Sequence, residues 1–201
     1  MKMRSRAHSS LHLQMGQETL YLLLTSAIFV SILLIAYIAY ERRHYEDPPI
    51  VTLREADGFY FKPGSSLVSR QFDQQLSQHV APKLREFADR YDAHVIEVIG
   101  HTDEVAVSMG SGNLDATLGP LFTGRRAAEP VPADNAGLGL ARAVAVSRAL
   151  KRAGVDQGYV IVPLSAGPFL RPDDTVSDGR SRKADKVRRR IEIRLRRPHT
   201  R

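Results

Sequence analysis

The chain has 201 residues, 43% hydrophobic and 25% charged, a composition that suits one globular domain with an appendage and excludes wholesale disorder. It contains no cysteine, which removes disulfides, thiolate metal sites, thiol nucleophiles and a cysteine-linked lipid. The formal charge of +7 is carried by the tail, where Arg180 to Arg201 holds eleven basic and two acidic residues, so the rest of the chain is slightly acidic.

The first element is an apolar run from Leu20 to Tyr40, about 21 residues without a charge or a proline. At about 1.5 Å per residue it is long enough to cross a bilayer core of roughly 30 Å. Tyr21, Tyr37 and Tyr40 sit at its ends, and Arg42 with Arg43 stops it. A cleaved signal peptide would have a shorter apolar stretch and a small-x-small site, which is missing before Glu41, so the reading is an uncleaved transmembrane helix. Lys2, Arg4 and Arg6 lie before the span, and Arg42 and Arg43 after it stand among Glu41, Glu46 and Asp47. The charge rule therefore favours a cytoplasmic N-terminus (1–19) by a small margin. Residues 41–49 form a linker stiffened by Pro48 and Pro49.

From Ile50 the pattern becomes that of a domain, which runs to residue 197 and leaves 198–201 as a tail. Ile50 to Phe61 reads as extended, turning at Asp57-Gly58, and Pro63-Gly64-Ser65 marks a second turn. Leu67, Phe72, Leu76, Val80, Leu84, Phe87 and Tyr91 then recur every three to five residues, a helical stripe in which Pro82 predicts a kink or two abutting helices. Val95 to Ile99 is a branched-residue strand. Glu104 to Ala133 has no period and reads as a long insertion with a short helix at most. A helix from about Ala136 to Arg152, capped by Asn135, a strand from Tyr159 to Leu164, a polar loop, and alternating Ile191, Ile193 and Leu195 complete the domain. The order is strand, helix, strand, helix, strand, strand, which predicts an α+β domain with a mixed sheet covered by helices on one face.

Four segments in this order resemble the OmpA C-terminal family, to which MotB and Pal domains also belong: Gly58 to Ser65, Ile96 to Asp103, Asn135-x-x-Leu138-x-x-x-Arg142-Ala143, and Arg189 to Ile193. The resemblance covers about three-quarters of the chain. It implies a noncatalytic peptidoglycan-binding domain with an OmpA-like β-α-β-α-β-β fold, held in the periplasm by a single-pass inner-membrane anchor and tethering a membrane complex to the wall. It further implies that Asp103 and Arg142 hold the ammonium and carboxylate of diaminopimelate, a split pair of charges that suits a zwitterion. Thr102 and Asn135 are candidate contacts nearby, and Asn135 reads equally as a simple N-cap. The competing reading of Asp103 and Arg142 is a structural ion pair, and His101 reads as the end of a strand. The sequence departs from the family at Gly139, where a serine is usual, and in the length of the insertion. Within the insertion, Asn113-Leu114-Asp115 and Gly124-Arg125-Arg126 are similar to a subgroup with an enlarged loop.

Nothing in the sequence has the form of a nucleophile with its base, a metal cluster or a cofactor loop, so no enzyme, cofactor or metal is expected. Gly137-x-Gly139 lacks a third glycine, with Arg142 at that position, and no strand immediately precedes it. The alternative function is a MotB-like stator or channel-partner subunit. A stator helix would need a carboxylate, and the span offers only Thr25, Ser26 and Ser31. Those hydroxyls leave room for a membrane-protein partner, and the family for a homodimer. The arginines from Arg188 to Arg196 read as an exposed sheet face, not as a nucleic-acid site, so the expected partners are peptidoglycan and membrane lipid.

Overall fold

The structure is a computed structural model that describes residues 4–45, 47–107, 110–122, 128–178 and 181–197. It separates into two compact units, Met1–Glu46 and Asp47–Arg201. The Gly124-Arg125-Arg126 segment and the tail from 198 lie outside the described residues.

The first unit is one helix, α1 (Arg4–Tyr45), of 42 residues. Its portion Glu18–Glu41 is long and apolar enough to cross a membrane, and none of it is buried by protein. Thr25, Ser26 and Ser31 each donate their hydroxyl to a carbonyl three or four residues back, which satisfies them within the helix.

The second unit is built on a four-stranded mixed sheet: β1 (Val51–Arg54), β2 (Val95–His101), β3 (Val160–Gly167) and β4 (Arg190–Arg196), in the order β1-β4-β2-β3. β4 pairs antiparallel with both β1 and β2, and β2 pairs parallel with β3. The parallel pair needs a crossover, and α5 (Asn135–Arg152) supplies it. Period-2 alternation sends Ile96 and Val98 of β2 to the same face as Ile191, Ile193 and Leu195 of β4, with Ile96 opposite Leu195 and Val98 opposite Ile193. This face is buried against Phe72, Leu76, Leu84, Val146 and Leu150 from the helices in a single core.

The helical stripe after Ser69 is divided, as Pro82 predicts. α2 (Arg70–Gln75) runs through a π-helical turn, Leu76–Val80, into α3 (Ala81–Tyr91), and Pro82 lies in the first turn of α3 where its missing N–H costs nothing. Leu67, counted in the stripe, lies outside the helix and is 66% exposed. The Ser69 hydroxyl caps α2 two residues later, accepting from the Phe72 amide.

The extended reading of Ile50 to Phe61 holds only for β1. A 3-10 turn, Glu55–Asp57, ends it, and Gly58 adopts φ 90°, a conformation open to glycine. Phe59 and Phe61 then pack edge-on against Phe72, with centroids 5.1 and 5.0 Å away.

The insertion forms one short helix, α4 (Leu114–Phe122). The Asn113 side chain braces it, accepting from the Val131 amide at 2.6 Å and donating to the Glu129 carbonyl at 3.1 Å.

α5 lies unusually close to β2. A Cβ on Gly100 would sit 1.9 Å from the Gly139 carbonyl oxygen, so both glycines are required by the approach of two backbones. This accounts for the departure at Gly139: a side chain there would meet the Ser165 hydroxyl at 2.5 Å and the Gly100 carbonyl at 2.8 Å.

The arginine face expected to be exposed is covered at one end: Arg194 is half-buried and Arg196 exposed, as expected, but the residues before them are not. Arg188, Arg190 and Glu192 are buried, because the loop after β3 folds over them. Arg188 donates to the Pro168 carbonyl at 2.6 Å and Arg190 to the Arg171 carbonyl at 3.3 Å. Burial alone would raise the Glu192 carboxyl, but polar contacts with His101, Arg194 and Arg190 hold it well below the usual carboxylate range. His101, the last residue of β2, is fully buried with its Nε2 3.4 Å from Glu192, an electrostatic contact in place of an aligned hydrogen bond.

Candidate functional site

A cleft of about 450 Å³ opens where the end of β2, the start of α5 and the loop before β4 converge. All four residues singled out from the sequence, Thr102, Asp103, Asn135 and Arg142, line it.

Arg142, about two turns into α5, is 2% exposed. Its Nε donates to the Ser65 carbonyl at 3.0 Å and its Nη2 to the Lys62 carbonyl at 3.4 Å, while the guanidinium lies 5.1 Å from the centre of the Phe61 ring. The turn from Lys62 to Ser65 thus presents the carbonyls of its two end residues to this cation. Arg142 makes no ion pair among the described residues. Burial, followed by the nearby charge of Arg189, lowers its pKa to about 10, while Asp103 and Glu55 act in the opposite direction. The result is a buried cation whose hydrogen bonds go to backbone carbonyls.

Asp103 is 7% exposed and does not pair with Arg142, so the simple ion-pair reading is corrected. Its Oδ2 accepts from Arg189 Nη1 at 2.6 Å and from the Asp185 amide at 3.1 Å. Arg189 also donates from Nε and Nη2 to Glu55 Oε2, at 3.1 and 2.9 Å. One guanidinium thus serves two carboxylates, and with Lys186 Nζ 3.9 Å from Glu55 Oε1 the cluster of two cations and two anions is neutral. Burial lowers the Arg189 pKa, but the hydrogen bonds it donates to Asp103 and Glu55 outweigh this and raise it.

Asn135 is not the N-cap. Asp134 takes that position, its side chain accepting from the Gly137 amide at 2.7 Å, and Asn135 is the first residue of the helix. The Asn135 Nδ2 donates to the Val105 carbonyl at 2.8 Å, and its Oδ1 is buried without a hydrogen-bond partner. Thr102 is 1% exposed, and its hydroxyl is likewise buried without a partner.

Sequence reasoning missed Glu55, Lys186 and the role of Arg189. Glu55 was read as part of a strand and Arg189 as part of another, and their pairing spans 134 residues. A signal was available in Glu55, a charge two residues after the buried Leu53 and two residues before the Asp57-Gly58 turn.

Fold and cleft together define the class: a mixed-sheet α+β domain with helices on one face and a charged cleft at the end of its parallel strand pair. No family model matches the chain, and no curated protein does. Among solved structures the chain is similar to a MotB-like protein from Desulfovibrio vulgaris, at 22% identity over 75% of each chain with a TM-score of 0.44. It is also similar to the peptidoglycan-associated lipoprotein from Burkholderia pseudomallei, at 25% identity over 69% of this chain and 88% of that one, TM-score 0.40. A third is the cell wall anchor of the T6SS from Pseudomonas aeruginosa, at 21% identity over 73% and 79%, TM-score 0.42.

Proposed function

We propose that this chain is a noncatalytic tether, anchored in the bacterial inner membrane by α1 and gripping the diaminopimelate of peptidoglycan through the cleft of its periplasmic domain. The observation that carries the reading is Arg142, a buried guanidinium in the cleft lining that donates to two backbone carbonyls, lies over the Phe61 ring and makes no ion pair among the described residues. A carboxylate reaching it would form a charge-assisted pair in a site shielded from water. On the other side of the cleft the carboxylates of Asp103 and Glu55, balanced in charge by Arg189 and Lys186, offer acceptors to an ammonium. Thr102 and Asn135 also line the cleft. An amino-acid head carries both charges on one carbon and matches this arrangement.

The order of motifs in the sequence supports the same ligand. The apolar portion of α1 supports the anchor, and the absence of a carboxylate from Leu20 to Tyr40 counts against ion coupling by this chain. The complex that the tether serves is a membrane assembly joined to the wall through this domain.

The test is co-sedimentation of the full chain, in detergent micelles, with purified diaminopimelate-type peptidoglycan at low and moderate salt, beside Asp103→Ala and Arg142→Ala. Wild type is expected to pellet at both salts while the two variants, folded by circular dichroism, stay in solution. Binding that vanishes with salt and ignores both substitutions would overturn the reading.

A further inference from the structure

The insertion begins at the site itself. Glu104, directly after Asp103, is buried, its carboxylate paired with Arg188 at 2.5 Å and accepting from the Ser177 hydroxyl and the Ser181 amide. The next carbonyl, of Val105, is held by Asn135 of α5 at 2.8 Å. This fastened stretch brings the side chains of Val105 and Val107 to the cleft, alongside Leu138 of α5. Tyr60 and Pro63 add further apolar surface to the lining. The cleft therefore has charged groups for a zwitterionic head and an apolar wall that no charge of that head can use.

Its volume of about 450 Å³ is in the range of sites that enclose a whole small molecule, and an amino-acid head alone would leave much of it empty. We propose that Val105 and Val107, delivered by the insertion, form with Leu138 a specificity wall for the hydrocarbon arm that carries the head. The inference rests on the tether reading and extends it. The ligand class becomes an amino-acid head at the end of a chain of methylenes, and a bare amino acid is excluded. Asn135 then has a positioning role, since it fixes the Val105 carbonyl and thereby the wall.

The geometry has a measurable consequence. Each methylene moved from water onto an apolar wall improves binding about three- to four-fold. Diaminopimelate and its homologues with one and two fewer methylenes between the two heads are used to displace the full chain, in detergent micelles, from peptidoglycan. For wild type the potency is expected to fall about three- to four-fold for each methylene removed. In Val105→Thr/Val107→Thr, which keeps the shape of the wall and makes it polar, the dependence falls below about two-fold per methylene, while the shortest homologue competes as in wild type. If that variant loses its fold, Val107→Thr alone is expected to show an intermediate dependence and decides the question. An unchanged length dependence in the folded variant, or none in wild type, overturns the wall while the tether reading stands. A wild-type chain that neither pellets with peptidoglycan nor responds to any homologue overturns both.

Discussion

The close approach of α5 to β2 can be tested with a single methyl group. Gly100→Ala would place a Cβ 1.9 Å from the Gly139 carbonyl oxygen and 2.6 Å from its carbon, against 3.4 Å for ordinary contact. The two backbones must separate by about 1.5 Å, because neither obstructing atom belongs to a side chain that could rotate away. Overpacking that flexible side chains absorb costs about 1–3 kcal/mol, and a backbone collision belongs at the upper end, about 3 kcal/mol. For a domain of this size each kcal/mol lowers the midpoint by about 2–4 °C, so the expected loss is roughly 6–12 °C. The readout is thermal unfolding of the full chain in detergent followed by near-UV circular dichroism. Peptidoglycan retention should fall as well, because α5 carries Arg142 and β2 leads into Asp103, so the two halves of the grip move apart. Gly119→Ala in α4, where a Cβ would meet nothing within 4 Å, is the control and should leave retention unchanged without lowering the midpoint, since alanine favours a helix interior. A Gly100→Ala protein that melts within 2 °C of wild type, roughly the error of such a scan, and is retained equally would refute the argument.

Other expectations follow from the buried charges and from the anchor. Glu104→Ala leaves Arg188 buried without its carboxylate and should cost about 3–5 kcal/mol in urea unfolding, far more than a surface pair. The Glu192 carboxyl is held below its ordinary value in the fold, so its stabilisation is complete above about pH 4.5 and is lost as pH falls further towards the depressed folded value. The thermal midpoint of wild type should accordingly fall more steeply between pH 5 and 3 (roughly the window below the ordinary carboxylate value) than that of Glu192→Gln. For the anchor, an alkaline phosphatase fused after Arg201 should be active in intact cells and one fused before Met1 inactive. The opposite pattern would invert the proposed orientation.

What could be read from the sequence follows from how local each signal is. The apolar span, the alternation of Ile191, Ile193 and Leu195, and the helix carrying Arg142 depend on spacing within one element, and each is found in the structure. The cap of α5 was misassigned by one residue because Asp134 and Asn135 are both capping types, and periodicity cannot separate neighbours. Leu67 was assigned to the helix for a similar reason: its spacing fits the stripe, but the Ser69 cap starts the helix after it. Asp103 and Arg142 were reached through motif order, whereas Glu55 and Arg189 belong to the site only through a bridge across the sheet. No local pattern records such a partner.

The same reasoning explains why the buried arginines of β4 were taken for a solvated face. Strand alternation predicts which residues point away from the core, and Arg190, Glu192 and Arg194 do so. It does not say whether that side meets water. Here the loop after β3 closes over its upper end, and the carboxylates of Glu104 and Glu192 neutralise Arg188 and Arg190 there. Ion pairs so deeply buried contribute little net stability compared with apolar packing, but they are costly to break singly. That asymmetry suits their position. The loop bears Ala184 and Lys186 at the cleft and the Asp185 amide on Asp103, so a fastening that resists partial opening keeps one wall of the site in register with the carboxylate it serves.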